Sequence, residues 1–233
     1  MKQVNIYIAG DSTVQNCTPE YYPQAGWGRL LHKYFKDTVK IDNHAMGGRS
    51  AKSFIREERL DKIFELIKDE DFLFIQFAHN DEKLEGGFAD PRGTYKAFLK
   101  YYIDGARERG AKPVLVTPVN RRRFDLNGNF YPTHGAYPEA VFELSRELNV
   151  PVIDLCSLSK DLYIKLGEEN SKELFLYLKK GESPNYPDGS EDNTHFNQYG
   201  GFVLAGIIAG EIKRLGILEA EHFKDSKDVK FED

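Results

Sequence analysis

Two cysteines in 233 residues, Cys17 and Cys156, are too few for a disulfide framework and are not spaced like metal ligands, so both read as small core or surface residues with room for one disulfide at most. A basic excess is also missing. The 32 Lys and Arg against 37 Asp and Glu leave -5 at pH 7, and the only tight basic run is Arg121-Arg122-Arg123, which argues against a nucleic-acid partner. The longest apolar run, Phe202 to Gly210, is interrupted by Gly206 and falls far short of the ~20 residues of a membrane span, so a core helix is expected and a membrane partner is not. Gly-x-Ser-x-Gly, Gly-x-x-x-x-Gly-Lys and His-Glu-x-x-His are all missing, which removes the usual α/β-hydrolase elbow, a phosphate loop and a metalloprotease helix. Neither metal nor organic cofactor is expected. Without repeats or a Pro/Gly/Ser linker, the chain reads as one domain over 1–233, with the charge-rich segment 219–233 as a loosely attached tail. Met1-Lys2-Gln3 runs straight into the first strand and leaves no room for a leader, so a cytoplasmic protein is expected, and the glycosylation pattern Asn16-Cys17-Thr18 carries little weight.

What the chain does have is alternation. Apolar runs at Val4 to Ala9, Val39 to Asn43, Phe72 to Phe77, Val114 to Thr117 and Val152 to Leu155 are separated by helix-length segments. This order implies βαβ units and a parallel sheet. The helical segments are about Trp27 to Phe35, Glu57 to Lys68, Pro91 to Arg109, Pro138 to Leu148, Ser157 to Leu166 and Asn197 to Leu215. In the third, Tyr95, Phe98, Leu99, Tyr102 and Ile103 form one apolar face. Irregular stretches at Asn16 to Ala25, His79 to Ala89, Asn120 to Tyr137 and Gly181 to His195 are expected to wall a site.

Chemistry sits at the boundaries of these elements. Gly10-Asp11-Ser12-Thr13 follows the first strand, and Asp192-Asn193-Thr194-His195 precedes the last helix. A serine hydroxyl is a weak nucleophile until an imidazole takes its proton, and a carboxylate fixes the tautomer of that imidazole. Ser12, His195 and Asp192 fill those roles. Acyl transfer also builds a tetrahedral oxyanion that needs preorganised donors. The N–H groups of Ser12 and Gly48 and the amide of Asn80 are candidates, each following one of the first three strands. Each block alone is equally a cap, a turn or a polar loop; four of them at strand or helix boundaries, in the order one site requires, favour catalysis.

The blocks Gly10-Asp11-Ser12-Thr13, Gly48, Asn80 and Asp192-x-x-His195 resemble the four signature blocks of the SGNH (GDSL-type) hydrolases. Within that superfamily, Gly10 to Gln15, Gly26-Trp27-Gly28, Gly47-Gly48-Arg49-Ser50, His79-Asn80-Asp81 and Thr117-Pro118 followed by Arg121 to Phe124 are similar to rhamnogalacturonan acetylesterases. The resemblance implies a flavodoxin-like three-layer α/β/α sandwich with a five-stranded parallel sheet ordered 2-1-3-4-5. It also implies deacetylation of pectic sugar, with Ser12 as nucleophile, His195 as base, Asp192 orienting it, and Ser12, Gly48 and Asn80 at the oxyanion. Imported acetylated oligosaccharides are the expected substrate. Acetyl-xylan, sialate, lipid and thioester substrates are alternatives, and a non-catalytic flavodoxin-like binding module is a distant one.

Substrate contacts are less constrained. Arg49 and Arg121, Arg122 and Arg123 could pair with a galacturonate carboxylate. His134 lies in a loop expected to border the cleft. Trp27 is the single tryptophan, either a sugar platform or, as its usual burial favours, packing under the catalytic loop. His32, His44 and His222 read as surface or packing residues.

Overall fold

Each of the five apolar runs forms a strand: β1 Val4–Gly10, β2 Val39–Asn43, β3 Phe72–Gln76, β4 Lys112–Val116 and β5 Val152–Ile153. In the computed structural model, which describes residues 3–231, all pairs are parallel and the order is β2-β1-β3-β4-β5. Met1, Lys2, Glu232 and Asp233 lie outside the described residues, and with them the start of the expected leaderless N-terminus and the end of the expected tail.

Successive side chains of a strand point to opposite faces. In β1, Ile6 and Ile8 enter one core while Tyr7 and Ala9 enter the other; in β3, Phe72 and Phe74 oppose Leu73 and Ile75. Both faces of the central strands are therefore apolar, and helices must cover both. On the Ile6 face lie α1 Trp27–Leu30, α6 Leu155–Asn170 and α7 Gln198–Arg214. The Tyr7 face carries α2 Ala51–Arg56, α3 Arg59–Leu66, α4 Thr94–Glu108 and α5 Tyr137–Leu148. The fold is the expected three-layer α/β/α sandwich.

Helix α4 also braces the top of the sheet. Its buried Tyr95 donates to Phe77 O at 2.9 Å and its buried Tyr102 to Ala51 O at 2.8 Å, so both phenols find acceptors in the segments that leave β3 and enter α2. The chain reverses its direction of strand addition between β1 and β3, and in open α/β sheets the crevice beyond the carboxyl ends at such a point binds ligands. Ser12, Gly48 and Asn80 follow β1, β2 and β3 there.

Several boundaries differ from the sequence reading. The segment Gly181 to His195 is not wholly irregular: Ser190–Phe196 is strand β7, antiparallel to β6 Phe175–Leu178 in a separate two-stranded sheet. Its sequence, SEDNTHF, has neither β-branched enrichment nor apolar alternation, and the pairing with β6 decides its conformation. The segment Glu57 to Lys68 holds one helix, α3 Arg59–Leu66, but a short helix not expected from the sequence, α2, precedes it. Serines at 50 and 53 form a reciprocal capping box that starts α2, and Glu58, left-handed at φ 56°, separates it from α3. Trp27 to Phe35 yields only the four residues of α1, followed by a 3-10 turn at Leu31–Tyr34. The run Leu155–Asn170 extends past Leu166 with a break at Gly167.

The expected loose tail is anchored at three points: the Phe223 ring lies tilted 4.9 Å from that of Phe35, His222 is buried against Thr38, and the Phe231 ring lies 5.4 Å from that of Phe202. Cys17 and Cys156 are both free and half-buried.

Two helical glycines should respond oppositely to alanine. A Cβ at Gly105 would lie 2.2 Å from the Phe64 ring, whereas at exposed Gly210 it would meet nothing within 4 Å. Gly210→Ala is expected to gain roughly 0.5–1 kcal/mol of stability from helix propensity. Gly105→Ala is expected to lose about 1 kcal/mol or more, because overpacking outweighs that gain. Urea unfolding checks both signs.

Candidate active site

The nucleophile turn is built on hydrogen bonds that run downward into the core. Asp11 Oδ1 accepts from Thr13 N at 3.0 Å and Thr13 Oγ1 at 2.8 Å, and Val14 N and Gln15 N both return to Asp11 O. Gln76 Nε2 donates to Thr13 Oγ1 at 2.8 Å, and Trp27 Nε1 donates to Gln76 Oε1 at 2.9 Å. Trp27 is 0% exposed. The sugar-platform reading is thereby corrected: the indole is a prop beneath the turn, where its one polar atom has a partner.

Above this relay, Ser12 Oγ lies 2.9 Å from His195 Nε2, and His195 Nδ1 lies 2.7 Å from Asp192 Oδ2. The other carboxylate oxygen, Asp192 Oδ1, accepts from the N–H groups of Thr194 and His195 at 2.6 and 3.0 Å. Burial alone would raise the Asp192 carboxyl; the hydrogen bonds and charge of His195 outweigh it and hold the group below the usual carboxylate range. An ionised Asp192 fixes Nδ1–H on the imidazole and leaves Nε2 as the proton acceptor facing Ser12.

The three loops that bear the expected oxyanion donors are tied together. Gly47 N donates to Gln15 Oε1 at 2.6 Å, which joins the loop after β2 to the nucleophile turn. Asn80 Nδ2 donates to Arg49 O at 3.0 Å, which joins the loop after β3 to the same segment and leaves the second N–H of the amide for a ligand. Lys83 Nζ holds Asn80 Oδ1 at 2.8 Å and thereby fixes the amide's orientation. Gly48 has φ +79°, a left-handed backbone conformation that favours glycine.

The remaining sequence candidates scatter. Arg49 donates to Gly47 O and pairs with Glu57 at 2.9 Å, and Arg121 pairs with Glu82; both stay partly exposed. Arg123 is exposed, with its guanidinium 5.9 Å from the Tyr131 ring. Arg122 and His134 are corrections, since both are buried. Arg122 donates to Asn193 Oδ1 at 2.7 Å, to Ser171 Oγ and to Glu168 O, while its N–H bonds Asn193 O at 2.8 Å. Its guanidinium therefore clamps β7 between Asp192 and His195 and has no approach to a sugar. His134 Nε2 donates to Val119 O and its Nδ1 faces Glu82 at 3.2 Å, edge-on to buried His79. His79 is pushed well below the ordinary imidazole range by burial, then by the charges of His134 and Arg121.

Sequence reasoning missed the props, Gln15, Gln76 and Lys83, and two buried carboxyls. Asp11 Oδ2 and Asp81 Oδ2 are buried without a hydrogen-bond partner. Burial raises both groups; Asp81, further raised by Asp11 and opposed by the Ala51 N–H, is pushed up to about 8. Among the described residues, one group of three possible metal ligands exists, Glu219, Glu221 and His222. It shares a hollow with Val4, Phe72 and Lys112, at the amino edge of the sheet opposite Ser12. No helix among the described residues is long and apolar enough to cross a membrane.

Comparisons with known proteins agree with this geometry. The family model described as GDSL-like Lipase/Acylhydrolase family matches residues 8–200. Rhamnogalacturonan acetylesterase RhgT of Bacillus subtilis is 48% identical over 95% of this chain and 94% of its own length. The probable rhamnogalacturonan acetylesterase YesY of the same organism is 39% identical, over 91% of this chain and 94% of its own length. Among solved structures, Bacillus subtilis protein YxiM superposes with TM-score 0.79 at 29% identity, over 93% of this chain and 58% of that longer chain. An acetylxylan esterase from Geobacillus stearothermophilus shares the fold at TM-score 0.62 and 14% identity, over 89% of this chain and 93% of its own.

Two expectations follow from the buried groups. The unfolded Asp81 titrates near 3.8 and the folded one near 8, so between those values the folded state binds the extra proton and stability falls as pH rises through the window. Asp81→Asn removes that loss. Its stability relative to the parent should be higher at pH 9 than at pH 5.5 by more than about 1.4 kcal/mol, the equivalent of one pH unit, in urea unfolding. Arg122→Gln should cost about 1–3 kcal/mol of stability and at least about tenfold in kcat on every ester alike, because a displaced β7 misplaces the base. A loss confined to uronate-bearing substrates would instead mean that Arg122 touches the sugar.

Proposed function

The chain belongs to the GDSL-like lipase/acylhydrolase family and is a serine esterase, and from that premise we propose that it removes O-acetyl groups from rhamnogalacturonan-type pectic saccharides through an acetyl-serine intermediate. The observation that carries the mechanism is the unbroken series Ser12 Oγ, His195 Nε2, His195 Nδ1, Asp192 Oδ2, with steps of 2.9 and 2.7 Å across the two hydrogen bonds. The relatives named for rhamnogalacturonan supply the sugar class.

His195 takes the Ser12 proton as Oγ attacks the acetyl carbonyl. Negative charge then develops on the carbonyl oxygen, where the N–H groups of Ser12 and Gly48 and the free N–H of Asn80 are proposed to meet it. Each such donor is worth roughly 2.7–4 kcal/mol in the transition state. Collapse expels the sugar oxygen, which receives the proton from His195; water repeats the sequence on the acetyl-serine and releases acetate. Asp192 stabilises the imidazolium at both steps without itself being protonated.

Acetate release from acetylated rhamnogalacturonan oligosaccharides, acetylated xylo-oligosaccharides, a sialate acetyl ester and p-nitrophenyl esters of rising chain length tests the reading. The first substrate should give the highest kcat/KM among the saccharides. Ser12→Ala should lower kcat by roughly 10³-fold or more with the fold intact. Asn80→Ala should lower kcat about 10²- to 10³-fold with KM little changed. A Ser12→Ala enzyme within tenfold of the parent would sink the assignment.

A further inference from the structure

A hollow of about 360 Å³ opens between the loop that follows the nucleophile turn and the start of α7. Its wall includes Arg29, Thr18, Tyr22, Gln24, Asn185 and Gln198, and no lining residue is acidic. The volume suits a small ligand unit. We propose that this hollow is a uronate subsite in which Arg29 receives the carboxylate of a galacturonate residue of the bound saccharide. The inference rests on the rhamnogalacturonan reading, whose acidic sugar is the galacturonate.

Position comes first. Gln198 is three residues beyond His195, a reach of at most about 11 Å along the chain. On the other wall, Arg29 Nη1 donates to Asn16 O at 2.7 Å and Cys17 O at 3.2 Å, on the stretch that leaves Ser12. Tyr186 Oη donates to Tyr21 O at 3.2 Å and to Gln24 Oε1 at 3.5 Å and so closes the same wall. The hollow is a continuation of the two segments that carry nucleophile and base.

Charge decides between this hollow and its rivals. Arg49 and Arg121 already face Glu57 and Glu82, and Arg122 is enclosed. A larger hollow of about 1130 Å³ along the β6–β7 connection mixes Lys179 and Lys180 with Glu182, Asp188 and Glu191. Arg29 forms no ion pair among the described residues; it donates from Nη1 to the two carbonyls, and its planar fork retains donors for a bidentate carboxylate. The amides beside it suit hydroxyls. Asn185 Nδ2 is spent on Pro19 O and Tyr22 O, and Gln198 Nε2 on Pro23 O and Gln24 O, which presents the side-chain oxygens of both as acceptors.

The test is the ratio of kcat/KM on an acetylated rhamnogalacturonan oligosaccharide to that on p-nitrophenyl acetate, with an acetylated xylo-oligosaccharide as a neutral sugar control. Arg29→Gln should lower the ratio about ten- to a hundredfold, chiefly through KM, with Arg29→Lys recovering part of it. Thr18→Glu places a carboxylate on the wall that competes for Arg29 and repels a uronate, with Arg29 itself left in place, and should lower the same ratio while sparing the ratio of the xylo-oligosaccharide to p-nitrophenyl acetate. If the parent deacetylates rhamnogalacturonan and both substitutions leave the ratio within threefold, the subsite is overturned and the function stands. If the parent releases acetate from p-nitrophenyl acetate but none from rhamnogalacturonan, the substrate reading falls instead. Calorimetric binding of digalacturonate to the Ser12→Ala protein then decides the subsite alone: loss on adding Arg29→Gln supports it, and undiminished binding overturns it.

Discussion

A single 2.9 Å hydrogen bond joins side chains 183 residues apart, Ser12 on the first strand's exit and His195 on the last strand of the chain. Its length tolerates little error, because proton transfer needs hydrogen-bond reach and misplacement by an ångström costs orders of magnitude in rate. Two separate scaffolds must therefore be fixed with respect to each other. The nucleophile is propped from below by Trp27, Gln76, Thr13 and Asp11 in series. The base is held from the side by Arg122, which grips Asn193 at both its backbone and its amide. Neither prop touches the reacting atoms, yet each fixes one end of the bond.

The price of such fixation is buried polarity. Asp11 and Asp81 each keep one carboxylate oxygen satisfied and one orphaned, and burial discourages their ionisation. Glu82 resolves a second concentration of charge: burial would raise it, but His134 and Arg121 together hold it ionised. The imidazoles of His79 and His134 share one acceptor, Val119 O, so this cluster behaves as a rigid polar floor beside the site. Such floors strengthen the electrostatics of the groups packed on them, since there is less water to screen them.

The main sheet was legible because its strands are buried on both faces, which leaves continuous apolar runs that few other elements share, and because helices of strong period separate them. The meeting of Ser12, His195 and Asp192 was legible because chemistry ties residue types to element boundaries. Elsewhere the information was tertiary. Strand β7 carries no pattern of its own, since its residues are chosen for the site and its conformation comes from pairing with β6. Capping serines at 50 and 53 announce α2, but six residues give no period to read. Arg122 and Arg123 are adjacent and identical in type, yet one is enclosed and the other exposed; only the packing of β7 against the loop separates them. Arg29 is silent in the sequence because a lone arginine in a four-residue helix has no motif around it.

Strand β7 also fixes when the molecule acquires its chemistry. Domains are synthesised from the N-terminus, at about 5–20 residues per second. Within this chain the serine therefore leaves the ribosome 183 residues ahead of the imidazole. A chain made only as far as β6 holds a serine hydroxyl with neither the imidazole nor the carboxylate beside it.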